Sequence, residues 1–230
     1  AVGSQLFGAF IRAVLVALLI GMPSIIVPGM RQDARDISML FAIVGFAMTM
    51  FEYGSSHPSL VEFRFAPPFN RVRFISLFLT VLLVSLMFRG EIADDGAAKA
   101  VFLAGYLIGV GMDFPFSPVR LFTDLLTDHG TTANTDIVRS IAGLGYVVSL
   151  VSLAVFAVLI RIGNWPIGHG NFNMWINLPT FDPTKTFDVE VRLARDARVN
   201  LIFGFTLPFL VPAVAQVSSN YYDFGGIDSN

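Results

Sequence analysis

The sequence predicts an all-α integral membrane protein with about six transmembrane helices (four to six) and one amphipathic helix at the membrane interface. The first observation is composition: hydrophobic residues make up 54% of the 230 residues and charged residues only 14%, whereas soluble domains carry about 25% charged residues. The second is a series of six apolar runs close to the length of a membrane crossing. The 15 basic and 17 acidic side chains are too few to coat a soluble globule, so the apolar excess must face lipid.

We identify the predicted spans by comparing the length of each apolar run with the roughly 20 residues that cross the hydrocarbon core. In chain order they are Leu6–Pro28, Ile37–Tyr53, Val72–Phe88, Ala97–Asp113, Ser140–Ile160 and Val199–Val217. The second, third and fourth runs are the short ones, and any of them could instead be re-entrant or interfacial. The first run lacks a preceding basic segment and is too long for a signal-peptide core, so we expect a mature span. Together the runs predict a single polytopic membrane domain.

The distribution of Lys and Arg predicts the orientation, because cytoplasmic loops carry more of these residues. Six crossings place both termini on the same side of the membrane. Nine of the 15 basic residues lie in or beside the loops after spans one, three and five, and six lie in or beside the segments on the other side. We therefore expect these loops in the cytoplasm and both termini outside it, with the bacterial inner membrane as the location.

Three glycines predict a helix-packing face in the fourth span: Gly105, Gly109 and Gly111. Gly105 and Gly109 are four residues apart, so they share one side of a helix and let another backbone approach closely. The packing partner could be a helix of the same chain or of another subunit. We favour this packing role over a role in binding a substrate.

Prolines interrupt the first and last spans. Pro23 lies in the first span, and Pro208 and Pro212 lie in the sixth. Each proline removes a backbone donor, so a neighbouring helix or water must satisfy the freed carbonyl group. Broken helices can build a transport site in the middle of the membrane, but proline is also simply common in membrane helices, which is the interpretation that we favour.

A seven-residue pattern occurs twice, 47 residues apart. Pro68 to Phe74 and Pro115 to Leu121 share Pro-Phe-(Asn/Ser)-x-Val-Arg followed by an apolar residue. Either duplication of a helix pair or chance similarity explains the match. Because both copies follow an even-numbered span, we expect Arg73 and Arg120 on one membrane face, at the level where a guanidinium contacts lipid phosphate, a partner or a nearby acid.

The second copy leads into a predicted amphipathic helix at Pro118 to Asp128. Ser117 is a natural N-cap, Pro118 is a favourable first residue, and Gly130 can end the helix. The apolar residues that crowd one side are Val119, Leu121, Phe122, Leu125 and Leu126. We expect this helix to lie along the membrane surface or to cover a partner helix.

The longest polar stretch is the loop at residues 162–198. Trp165 and Trp175 suit the aromatic belt at the membrane interface. We expect three arginines near the end of this loop to contact anionic lipid or an acidic docking surface of a partner: Arg192, Arg195 and Arg198.

The end of this loop carries two conflicting secondary-structure signals. Residues 187–193 alternate between apolar and polar, which by itself indicates a strand. Arg192 and Asp196 form an i,i+4 pair, and Ala194 and Ala197 favour a helix. We therefore predict a helix that runs into the sixth span.

Three of the charged residues within the predicted spans are candidates for function, because a charge in lipid is costly. They are Arg12, Glu52 and Asp113. All three lie near the end of a span, where an arginine can snorkel and an acid can reach water. The middles of all six spans are uncharged, whereas ion-coupled transporters usually carry a polar cluster there.

No catalytic, cofactor or metal site is predicted. His57, His129 and His169 lie outside the spans and far apart in sequence, which argues against haem ligation within the membrane. The absence of cysteine excludes thiolate chemistry. A net charge of −2 offers no basic field for nucleic acid.

These features favour a non-catalytic accessory, scaffolding or assembly subunit of a larger integral membrane complex. The charge-free spans, the small-residue helix face and the polar loop support this hypothesis. The expected partners are the lipid bilayer and other integral membrane subunits. The alternative is a small-solute transporter or channel that acts as a homo-oligomer, which the interrupted helices and the internal similarity would support.

Overall fold

The computed structural model describes residues 2–55, 61, 67–128, 134–163 and 189–223. These residues form seven α-helices and contain no strand. In chain order the helices are α1 (Val2–Ile26), α2 (Gln32–Gly54), α3 (Pro67–Ile92), α4 (Gly96–Met112), α5 (Pro118–Asp128), α6 (Thr135–Gly163) and α7 (Val189–Asp223).

The predicted all-α, multi-pass membrane fold is confirmed. Among the described residues, five helices are long and apolar enough to cross a membrane, namely α1, α2, α3, α6 and α7. Helix α4 is a shorter apolar helix of 17 residues. Several helices extend beyond the apolar runs: α3 begins at Pro67 and α6 at Thr135. They do so because backbone hydrogen bonds continue through polar residues at a helix end, where the side chains reach water.

The sequence predicts one membrane domain, and in the structure the chain divides into two compact units. The first comprises Ala1–Leu103 and Val147–Phe181, and the second comprises Ala104–Tyr146 and Asp182–Asn230. Helices α4 and α6 each contribute residues to both units.

The first unit is built on the packing of α1 against α2 and α3. Small residues allow the first two helices to approach closely: Ala13 and Ala42 are buried, and a Cβ atom at Gly21 would lie 3.7 Å from the Cβ of Ala42. Ser38 Oγ of α2 donates to the carbonyl oxygen of Ile20 at 3.1 Å. A polar contact to the α1 backbone therefore reinforces the apolar packing.

Helices α3 and α4 form a tight hairpin in the same unit. A Cβ atom at Gly90 would overlap the backbone carbonyl of Ala98, so only glycine permits this approach. Asp95 joins the two helices: its carboxylate accepts from Arg89 Nε at 2.9 Å and from the backbone N–H of Ala97 at 3.1 Å, which caps α4. Arg89 also donates to the carbonyl oxygen of Ile26, at the end of α1, at 3.5 Å.

In the second unit, the amphipathic helix α5 contacts α7. The predicted start of α5 is confirmed, because the backbone N–H of Arg120 donates to Ser117 Oγ at 3.0 Å. Gly130, the predicted end signal, lies outside the described residues. Helix α7 runs without interruption from Val189, which confirms the predicted helix leading into the last span and excludes the alternative strand at its described residues.

Candidate functional site

The candidate site begins with a close crossing of α4 and α6 in the second unit. A Cβ atom at Gly109 would lie 2.7 Å from Ser140 Cα and 2.8 Å from Arg139 O. On the other side, a Cβ atom at Gly143 would lie 2.6 Å from Gly109 Cα. Backbone meets backbone here, so both positions require glycine. The crossing brings the last turn of α4 against the first turns of α6.

This crossing places one acid between two arginines. Asp113, directly after α4, lies with Oδ2 at 2.8 Å from Arg139 Nε of α6 and with Oδ1 at 2.9 Å from Arg120 Nε of α5. Arg139 also contacts Asp136, through Nη1 at 2.9 Å from Oδ1. We call these four residues the Asp113 cluster. A single carboxylate therefore links the ends of three helices.

The members of the Asp113 cluster differ in exposure and in hydrogen bonding. The side chain of Asp113 is 15% exposed, that of Arg139 is 23% exposed and that of Arg120 is 44% exposed. Arg139 Nε is buried, and its N–H is not directed at Asp113 despite the short distance, so this contact is ionic. Arg120 uses Nε for Asp113, and its Nη1 and Nη2 have no partner among the described residues. The free edge of Arg120 can still bind an anion.

A strained turn joins α4 to α5 beside this cluster. The N–H of Ser117 donates to the carbonyl oxygen of Phe114 at 3.0 Å, which closes a four-residue turn. Pro115 in the second position and Phe116 in the third, with a φ angle of 66°, have the pattern of a type II turn, whose third position favours glycine. A side chain in this left-handed conformation costs about 1–2 kcal/mol. Phe116 is nevertheless 84% exposed, so packing within the protein offsets little of this cost.

The first copy of the seven-residue pattern has a different structure. Its Pro68 and Phe69 lie inside the first turn of α3, because this helix begins at Pro67. The ring of Phe69 packs edge-on against Phe156, with 6.0 Å between ring centres. Arg73 is exposed and makes no ion pair with any described residue. The similarity in sequence therefore does not extend to a common structure.

The three glycines predicted to form a packing face have different surroundings. Gly109 lies at the helix crossing, and Gly105 is buried. Gly111 is exposed, and a Cβ atom there would meet nothing within 4 Å. Gly111 lies on a different side of the helix because two residues rotate an α-helix by about 200°.

Two of the predicted intramembrane charges lie together at one end of the first unit. Arg12 donates to the carbonyl oxygen of Gly8 at 2.9 Å, and its guanidinium lies 5.0 Å from the centre of the Tyr53 ring. Glu52 is buried and accepts a hydrogen bond from the backbone N–H of Val61 at 2.9 Å. Local contacts thus stabilise both charges, and neither belongs to the Asp113 cluster, which contains the third predicted charge.

The predicted lipid or partner contacts near the last span are partly described. Arg192 and Arg195 both contact Asp196, at 3.5 and 3.2 Å. Arg198 is exposed and has no partner among the described residues. Trp165 and Trp175 lie outside the described residues. Within the described part of the chain, no group of three His, Asp or Glu side chains could hold a metal ion.

Sequence reasoning missed two residues of the site, Gly143 and Phe116. Gly143 follows Ser140 by three residues, and this pair of small residues in an apolar helix is a signal for close packing. The proline before Phe116 and the N-capping Ser117 after it together indicate a turn, but they do not reveal a positive φ angle.

Comparisons of the chain with protein-family models, with curated proteins and with solved structures find no match. Any functional proposal must therefore rest on the chemistry of the described residues.

Proposed function

We propose that the chain is a non-catalytic accessory subunit that assembles with other integral membrane proteins of a bacterial inner membrane. The observation that carries this proposal is the exposure of α7. Every residue from 197 to 211 is exposed, although this stretch is the apolar part of the helix. Within the second unit, this stretch therefore keeps no face buried, whereas a helix packed along its length would bury one.

Apolar exposure alone does not choose between lipid and protein, because lipid tails are as apolar as leucine. The two prolines of α7 supply the further argument. Pro208 and Pro212 have no N–H groups, so the carbonyl groups of Gly204 and Pro208 lose their partners within the helix. In hydrocarbon, an unsatisfied carbonyl costs several kcal/mol unless a neighbouring helix or water supplies a donor.

Gly204 offers room for such a neighbour. A Cβ atom at Gly204 would meet nothing within 4 Å, so the backbone of another helix can approach here. A partner helix with a hydrogen-bond donor at this depth would satisfy the freed carbonyl group and cover the apolar side chains. These features support lateral assembly through α7.

The alternative is a transporter or channel for small solutes that acts as a homo-oligomer. The feature that favours it is the same pair of prolines, since freed carbonyl groups near the middle of a membrane can line a transport pathway. In that case α7 would contact a second copy of this chain.

Photo-crosslinking in native membranes tests these proposals. A photoreactive residue replaces Phe205, which is 73% exposed on α7, and a matched variant carries it at Phe41, an exposed phenylalanine of α2. We expect position 205 to give one discrete adduct with a different integral membrane protein and position 41 to give lipid adducts.

The mass of the adduct separates the outcomes. An adduct between two copies of this chain would support the homo-oligomer instead. If both positions gave lipid adducts alone, α7 would be a lipid-facing helix, and neither form of lateral assembly through it would hold.

A further inference from the structure

We propose that the turn Phe114–Ser117 together with Arg120 binds the headgroup and upper acyl chain of one anionic phospholipid. Arg120 would bind the phosphate oxygens, and Phe116 would contact the acyl chain beside it. This inference concerns a lipid site in the second unit and does not depend on the proposed assembly through α7.

The backbone at Phe116 is strained. Its positive φ angle is unfavourable for any side chain, and glycine at this position would remove the strain. The residue is 84% exposed, so the protein's own packing does not explain why a large apolar residue stands here. Strained backbone positions cluster at functional sites, including sites that hold a ligand. An apolar ring that projects outward from a strained turn is well placed to contact an acyl chain.

The position of the turn between two helices indicates its depth in the membrane. The turn begins at Phe114, two residues after the apolar helix α4 ends at Met112, and it leads directly into the amphipathic helix α5. A turn between an apolar helix and an amphipathic helix is expected where hydrocarbon gives way to headgroups, the level that aromatic and arginine side chains favour. The neighbouring Phe114 is also exposed and adds apolar surface at the same level.

The guanidinium of Arg120 has an available edge. Its Nε is held by Asp113 at 2.9 Å, which fixes the orientation of the guanidinium, and Nη1 and Nη2 have no partner among the described residues. Asp113 also pairs with Arg139, so its charge is shared between two guanidinium groups. Two parallel N–H groups on one guanidinium match two oxygens of a phosphate. Arg120 is thus oriented by one acid and left able to bind another anion.

The first copy of the pattern supplies an internal comparison. Phe69 packs against Phe156 within the protein, so its ring is not offered to lipid in the same way. Arg73 has no acid that orients it among the described residues. A site that requires both an outward ring and an oriented guanidinium therefore belongs to the second copy alone.

Native mass spectrometry of the purified full chain in mild detergent tests the site. The probes are phosphatidylglycerol and phosphatidylcholine, titrated separately, and the measured quantity is the occupancy of the first retained lipid. We expect the chain to retain phosphatidylglycerol more tightly than phosphatidylcholine. Arg120→Gln should weaken phosphatidylglycerol binding about tenfold. Arg120→Lys should retain part of the binding, because lysine keeps the positive charge but lacks the two parallel N–H groups of the guanidinium.

The variant Phe116→Gly gives the sharper test, because misfolding cannot account for its expected result. Relief of the turn strain should raise the unfolding temperature in lipid-free detergent, whereas phosphatidylglycerol binding should weaken. The matched controls are Arg73→Gln, which removes the corresponding arginine of the first copy, and Phe41→Ala, which removes an exposed ring from α2. Both controls should bind phosphatidylglycerol as the unaltered chain does.

Three results would overturn the proposal. The first is a Phe116→Gly chain that is more stable but binds phosphatidylglycerol unchanged. The second is an equal loss of binding in Arg120→Gln and Arg73→Gln. The third is stabilisation by inorganic phosphate that equals the effect of phosphatidylglycerol and does not depend on Phe116, which would assign Arg120 to a soluble phosphate ion.

Discussion

The crossing of α4 and α6 gives a quantitative prediction for Gly109→Ala. The added methyl group would lie 2.7 Å from Ser140 Cα and 2.8 Å from both Arg139 O and Ser140 N. Carbon atoms in contact are about 3.5–4.0 Å apart, so the overlap is about 1 Å. All three atoms belong to the backbone of α6, and a change of side-chain rotamer cannot relieve the clash.

The two helices must therefore separate by about 1 Å at their crossing. A gap of this size forfeits roughly a quarter to a half of the dispersion energy of each contact along the crossing, and overpacking costs about 1–3 kcal/mol. We expect Gly109→Ala to lower the free energy of unfolding by this amount. Because Arg139 O is one of the atoms displaced, the contact between Arg139 and Asp113 should lengthen as well.

Gly111→Ala is the matched control, since it makes the same chemical change two residues further along α4. A Cβ atom there meets nothing within 4 Å, so the helix preference of alanine should leave stability unchanged or raise it by about 0.5–1 kcal/mol. Unfolding in mixed micelles, followed by circular dichroism as the SDS fraction rises, measures both variants. Equal effects of the two substitutions would refute the close crossing.

The other predictions concern charges and orientation. Asp113→Ala should lower the free energy of unfolding by about 1–3 kcal/mol because it leaves the part-buried Arg139 without one acid. Asp136→Ala, at an exposed position, should lower it by only about 0–1 kcal/mol. The same unfolding assay compares the two variants. The hydrogen bond from Arg89 holds the pKa of Asp95 below its ordinary value of 3.8, and the N–H groups of Ala98 and Ala97 lower this pKa further. The stabilising effect of this cap is therefore present above the unfolded-state pKa and is lost as the pH falls through the lowered one. Hydrogen exchange at the start of α4 should accelerate only in that acid range, and Asp95→Asn should abolish this pH dependence. Single cysteines at Thr184 and Ser229 should react with an impermeant thiol reagent on intact cells at 229 but not at 184, and the reverse pattern would invert the expected orientation.

Local signals in the sequence predicted the helices well. The Ser117-Pro118 pair located the start of α5, because a side-chain cap and a proline at the first helical position act within a few residues. The Arg192–Asp196 pair and the neighbouring alanines predicted the continuous α7, although the apolar alternation nearby favours a strand when taken alone. Each of these signals acts within one or two turns of the chain.

Contacts between segments distant in the chain could not be predicted from the sequence. Gly109 is recognisable as a packing residue, but nothing in a single sequence states that its partner is Gly143. The proximity of Asp113 and Arg139 depends on that crossing, and so it could not be predicted either. The φ angle of Phe116 breaks a local preference, and reasoning from such preferences fails at strained positions.

The hairpin of α3 and α4 bears on how the chain enters the membrane during synthesis. Its contacts, Arg89 with Asp95 and Gly90 with Ala98, join residues less than ten positions apart. Such contacts form quickly because the loop to be closed is short. The hairpin can thus assemble before α6 and α7 have been made. Since Arg89 and Asp95 form an ion pair across the turn, we expect the two helices to insert as one compact pair in which these charges neutralise one another.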